Sequence, residues 1–202
     1  MAEEKLDTQV RREQIAEAAL TLIASQGLRR LSMGAVARRV GLVPSGIYRH
    51  FKNKDELLDA VLDRVEQRLL ANVKASRDEH SNALDALRDV LMRHIRYLRE
   101  GKVISVPRMI FSEDAHADNP DRKRRALRVL KQYTGQVGEI VRLGQSQGCI
   151  RPDLDVQTVT MMLFGIVVPA GILWHLTDGG FDVTRHAQRA WQLFRRAVEK
   201  SA

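Results

Sequence analysis

Seven cations stand between Leu28 and Lys54 with no acid among them: Arg29, Arg30, Arg38, Arg39, Arg49, Lys52 and Lys54. That window carries +7 of the chain's net charge of +8. Cations so placed neutralise phosphates and release counterions, which gives affinity for a nucleic-acid backbone whatever its sequence. A solvated basic face is the plainer reading of most charge runs. The residues between the cations point further. Gly41 and Pro44 mark a turn, and Ser45-Gly46-Ile47-Tyr48-Arg49-His50-Phe51 follows it. Ile47 and Phe51, four apart, share a helical face; anchored on a core, they would turn Ser45, Gly46, Arg49 and His50 outward. Arg49 has the fork that pairs with guanine, and Tyr48 and Lys54 suit sugar and phosphate. For Tyr48 plain packing, and for His50 a structural role, are the alternatives.

Such residues need a frame, and turn signals divide the chain into about nine helices without strand alternation. The first runs from Thr8 to Gln26 with Ile15, Ala18, Ala19, Leu22 and Ile23 at helical spacing, and Gly27 stops it. The second starts after Ser32, a good N-cap, buries Val36, Ala37 and Val40, and ends at Gly41. Pro44 suits the first position of a third helix through Tyr48 and Phe51. Asn53 and Glu56 form a capping box for the fourth, whose stripe of Leu57, Leu58, Val61, Val65 and Leu69 runs on toward Lys74. A fifth spans Ala83 to Arg99, and a short sixth passes through Met109 and Phe111 after Pro107. Asn119 and Pro120 open a seventh that ends near Gly148; Asp155 caps an eighth reaching Leu176, and Asp182 starts a ninth. The fold class is all-α. A three-helix head occupies residues 1–55 and a larger helical domain residues 56–202, with the boundary inside the fourth helix, so that the link is rigid. A helix-turn-helix of this kind lays its second helix in the major groove.

The stretch Ser32–Leu58, "SMGAVARRVGLVPSGIYRHFKNKDELL", resembles the DNA-binding domain of the TetR family of transcriptional regulators. The match lies in the small-residue second helix, Gly41, an apolar residue before Tyr48, His50-Phe51, and Asn53-Lys54-Asp55 leading to Leu57. The resemblance implies an all-helical, cytoplasmic homodimer whose heads enter successive major grooves of a palindromic operator. Its C-terminal domains would bind a small effector that releases the DNA. The family's DNA contacts map onto Ser32, Gly34, Pro44, Ser45, Gly46, Tyr48, Arg49, His50 and Lys54. Gly34 stands where many members carry a longer polar side chain, and Val43 replaces the usual polar N-cap.

In the C-terminal part, the apolar eighth helix and the striped ninth suit a two-fold interface through Val167, Gly171, Ala187, Ala190, Trp191, Phe194 and Val198; internal core is the alternative. Pocket walls expected from residue type are Tyr97, Met109, Phe111, Tyr133, Met162, Phe164 and Trp174, with His94, Arg108 and His175 as polar fixtures for a largely apolar ligand. Capping and loop duty explains Glu113, Asp114, His116, Asp118 and Asp121 better than a metal does, and Arg122 to Arg125, "RKRR", read as a solvated helix face. Cys149, the single cysteine, excludes an internal disulfide and suits a reducing compartment. Met161–Trp174 is short of the roughly 20 apolar residues a bilayer span needs, so a buried helix and no membrane partner are expected. The sequence has no nucleophile elbow, phosphate loop, dinucleotide glycine pattern or metal-spaced histidine pair, so neither catalysis nor a cofactor is expected. An activator of the same fold, a non-specific nucleic-acid binder and an enzyme using the C-terminal cavity are the competing readings.

Overall fold

Polar residues ahead of four helices cap them as their types dictate. Ser32 Oγ accepts the Ala35 N–H, Asn53 Oδ1 that of Glu56, Asp155 Oδ2 that of Thr158, and Asp182 Oδ1 that of Arg185. A computed structural model describes residues 8–99 and 120–200. Among them are seven helices: α1 (Thr8–Gln26), α2 (Met33–Arg39), α3 (Lys54–Glu79), α4 (Ala83–Arg99), α5 (Pro120–Ser146), α6 (Val156–Leu176) and α7 (Val183–Val198). The described residues include no strand, only a bridge between Ile150 and Glu199 that pins the end of the chain beside the α5–α6 connection. The short helix expected through Met109 and Phe111 lies outside the described residues.

The third expected helix is the main correction. Between Pro44 and Phe51 the chain forms a turn and a 3₁₀ helix of only four residues, Gly46–Arg49. Val43 has no side-chain acceptor for a cap, Ser45 makes no capping bond, and Gly46 weakens a helix interior. Before it, α2 ends in a Schellman motif: Gly41 takes φ +72, its N–H bonds the Arg38 carbonyl and the Leu42 N–H reaches that of Ala37.

The 26 residues of α3 reach roughly 39 Å at the ordinary helical rise. Up to Arg68 they carry the head, where α1 lies against α3 through Arg64 to Glu13 and Arg68 to Glu17. The rest enters the larger bundle, where Asn72 donates to the Val90 carbonyl and Ser76 to Asp89. Helix α5 runs alongside α3 in the same direction, linked by Arg122 to Asp55 and Asp59, Arg125 to Asp63, and Arg77 to Glu139. The "RKRR" run therefore divides: Lys123 and Arg124 are exposed, whereas Arg122 is only 6% exposed and ion-paired. At its far end α5 keeps Gly144, where a Cβ would lie 2.5 Å from Ile150 Cδ1.

Helix α6 is long and apolar enough to cross a membrane by length and composition. It packs instead against α4, α5 and α7. Its uncovered side presents Met161, Met162, Ile172, Leu173 and Leu176, and α7 adds Leu193.

Candidate nucleic-acid interface

Ile47 and Phe51 are wholly buried and act as the two pegs of the basic segment. The Phe51 and His50 N–H groups both bond the Ile47 carbonyl, which closes the turn over those pegs. Outside it stand Pro44, Ser45, Arg49 and Tyr48, the last 54% exposed, a high value for an aromatic side chain in a folded protein. Gly46 and His50 are half-buried. Ser32 is exposed at the start of α2, and Gly34 is half-buried with the Arg38 guanidinium 3.6 Å from where its Cβ would be. Lys54 directs its ammonium toward the Leu28 carbonyl at 3.4 Å. Val43, 67% exposed, adds an apolar tip beside these groups.

The turn is held from below by Arg12, a residue that no local motif marks. Its guanidinium lies 4.2 Å from the Phe51 ring centroid, donates to the His50 carbonyl and pairs with Glu56 Oε1 at 3.0 Å. Glu56 Oε2 accepts the Lys52 N–H at 2.8 Å. The Lys52 N–H, then Arg12, hold the Glu56 carboxyl below its usual range. These ties join α1, the turn and the first turn of α3 across 38 and 44 positions of sequence, a separation that no local pattern reveals. Burial, then Arg11, Arg12 and Arg49, lower the His50 pKa, so the imidazole is neutral at physiological pH.

In the larger domain, Tyr133 and Phe164 line a narrow crevice with Val90, Leu91, Val137 and Leu163. Its free space is about 10 Å³, room for one water at most. His94 lies behind Tyr133, with Nδ1 3.5 Å from the hydroxyl. Through Thr134 and Thr160 the crevice adjoins an open groove of about 400 Å³, whose rim carries Lys131 and Arg142. The other expected pocket residues are less concentrated. Met162 faces outward, Tyr97, Trp174 and His175 are half-buried away from the crevice lining, and Arg108, Met109 and Phe111 lie outside the described residues. Glu113, Asp114, His116 and Asp118 lie there too, while Asp121 pairs with Arg124. Among the described residues Glu79, His80 and Asp89 come close enough to hold a metal, yet Arg93 already pairs with both carboxylates.

The residues expected at the dimer interface lie mostly inside the protomer. Val167, Gly171, Ala187, Trp191, Phe194 and Val198 are buried by the chain's own helices, and Ala190 is half-buried. The amphipathic stripe of α7 is used to seat it on α4 and α6.

Burial lowers the His94 pKa to about 4. Between that value and the ordinary 6.5 the unfolded chain takes up a proton that the folded chain does not, so stability falls on acidification through this window. The expected cost from pH 7 to pH 5 is roughly 2 kcal/mol. Thermal melts of wild type and His94→Gln at the two pH values check it: the variant should lose most of this sensitivity, and equal slopes would exclude His94 as its source.

An all-helical chain with a buried-peg basic turn on a long connecting helix defines a helix-turn-helix regulator. Residues 15–61 match the sequence profile of bacterial regulatory proteins, tetR family, and residues 62–197 that of the C-terminal region of YsiA-like protein. The chain belongs to the TetR family and is a DNA-binding transcriptional regulator. It is similar to the fatty acid metabolism regulator protein of Bacillus subtilis (strain 168), with 23% identity over 170 residues, 84% of this chain and 86% of that protein. A TetR transcriptional regulator from Chloroflexus aurantiacus shares the fold at a TM-score of 0.78 and 19% identity, over 96% of this chain and 98% of that one. FadR from Bacillus subtilis, solved in complex with stearoyl-CoA, superposes at a TM-score of 0.73 and 21% identity, over 90% and 96%.

Proposed function

We propose that this regulator is a cytoplasmic homodimeric repressor that leaves a palindromic operator when an anionic amphiphile, an acyl thioester of a phosphate-bearing carrier, enters its C-terminal domain. The observation that carries the DNA-binding part is the exposed, acid-free turn around Tyr48 and Arg49, fixed on Ile47 and Phe51. Ser32, Gly34, Pro44, Ser45, Gly46, Tyr48, Arg49, His50 and Lys54 are the proposed contact set, with Arg49 reading a base and the rest positioning the head. The head is assigned to residues 1–55 and the effector and dimerisation domain to 56–202, with α3 as the rigid link.

Two adjoining surfaces support this effector class. An apolar tail suits the crevice of Tyr133, Leu163 and Phe164, and Lys131 and Arg142 at the neighbouring groove suit a charged head. The stearoyl-CoA of the Bacillus subtilis FadR combines the same two chemistries. Because the crevice is nearly closed, a tail can enter only by parting the helices around it, and the ligand would thereby favour a second arrangement of the domain. A labelled duplex from beside its own gene, titrated with the protein and then with palmitoyl-CoA, tests both parts. Release by palmitoyl-CoA but not by free CoA is expected. Retention of the complex would refute the effector class, and indifference to duplex sequence would refute the repressor.

A further inference from the structure

Arg122 sits in the first turn of α5, where the helix dipole disfavours a cation, and its side chain is only 6% exposed. Both features need compensation, and α3 supplies it. Arg122 Nη2 donates to Asp55 Oδ1 at 2.9 Å and Nε to Asp59 Oδ1 at 3.4 Å. One turn further along, Arg125 pairs with Asp63. Asp55, Asp59 and Asp63 recur every four residues and so form one stripe of α3 that faces the larger domain. Asp55 also stands next to Glu56, whose carboxylate holds Arg12 and, through it, the His50 carbonyl and the Phe51 ring.

From this arrangement we propose that Arg122 is a positioning residue for DNA reading. It clasps the first turn of α3 to the effector domain and so sets the pose of the turn that carries Tyr48 and Arg49, without touching DNA itself. The inference rests on that turn being the DNA reader. Helix α5 also lines the effector crevice through Tyr133, Thr134 and Val137, so any shift of α5 that widens the crevice is felt at the clasp. Arginine serves better than lysine because its fork reaches two carboxylates at once, where an ammonium would hold one.

The test uses the full-length protein, a duplex enriched from random DNA by the wild type, and a scrambled duplex. Arg122→Gln should lower the ratio of selected to scrambled affinity about tenfold or more, while the salt slope on either duplex stays unchanged because the phosphate contacts remain. Arg122→Lys should recover part of the ratio. Asp55→Asn combined with Arg122→Gln should cost no more than the worse single change, since the two act as one unit. A parallel fall on both duplexes that merely follows the melting temperature, an unchanged ratio, or additive losses would each overturn the proposal. Hydrogen exchange without DNA gives a second reading: amides in residues 44–58 should exchange faster in Arg122→Gln than in wild type, and equal rates would refute the clasp. If the wild type enriches no duplex, the DNA-reading assignment fails on its own, and the exchange comparison still decides whether Arg122 positions the turn.

Discussion

Leu173→Glu combined with Leu176→Glu yields a folded monomer that binds operator DNA some 10²–10⁴-fold more weakly than wild type, the range that linked binding heads ordinarily gain. Leu176 is 72% exposed and Leu173 43%, so neither carboxylate disturbs the protomer's own core. They do interrupt the apolar strip of Met161, Met162, Ile172, Leu173 and Leu176 on α6, which α7 extends with Leu193. Covering a large aliphatic side chain is worth roughly 1.5–3 kcal/mol, and a two-fold contact counts each one twice. A carboxylate pressed against its symmetry mate reverses the sign of that contribution. Light scattering for mass, circular dichroism for fold and a duplex titration together measure the effect. A variant that remains dimeric with undiminished affinity would remove α6 and α7 from the interface.

Arg49→Ala abolishes most of the sequence preference while leaving weak, salt-sensitive DNA affinity. A bidentate arginine–guanine pair discriminates by about 1–3 kcal/mol, and two heads double it to roughly 2–6 kcal/mol. Arg49 is exposed at the end of a turn whose buried side is filled by Ile47 and Phe51, so its removal leaves the head intact. Competition between operator and scrambled duplexes is the measurement. Equal loss on both would make Arg49 a phosphate contact, and no loss would displace it from the interface.

What the sequence made legible was local. Gly27, Ser32, Gly41, Asn53, Asp155 and Asp182 mark helix ends because each satisfies a backbone need at its own position, and the structure places helix boundaries beside all six. The turn between Pro44 and Phe51 is shorter than a full helix because Val43 and Gly46 lack the cap and the propensity that such a helix would require. The supports of the turn were not legible. Arg12 works through residues 38 and 44 positions away, and Arg122 looked like one more cation in a solvated run. Which side of α7 a partner could cover is not legible for a related reason. In α7 the hydrophobic stripe shows which side must be covered, but not whether the same chain or another covers it, and here Trp191 and Phe194 face inward.

Paired engagement of DNA by two identical turns, one from each protomer, is checked by hydroxyl-radical footprinting of the protein on its enriched duplex. The expected result is two symmetric protected patches on one face of the DNA, centred about 34–36 Å apart, one helical turn. A single patch, or uniform protection that ignores sequence, would contradict paired engagement.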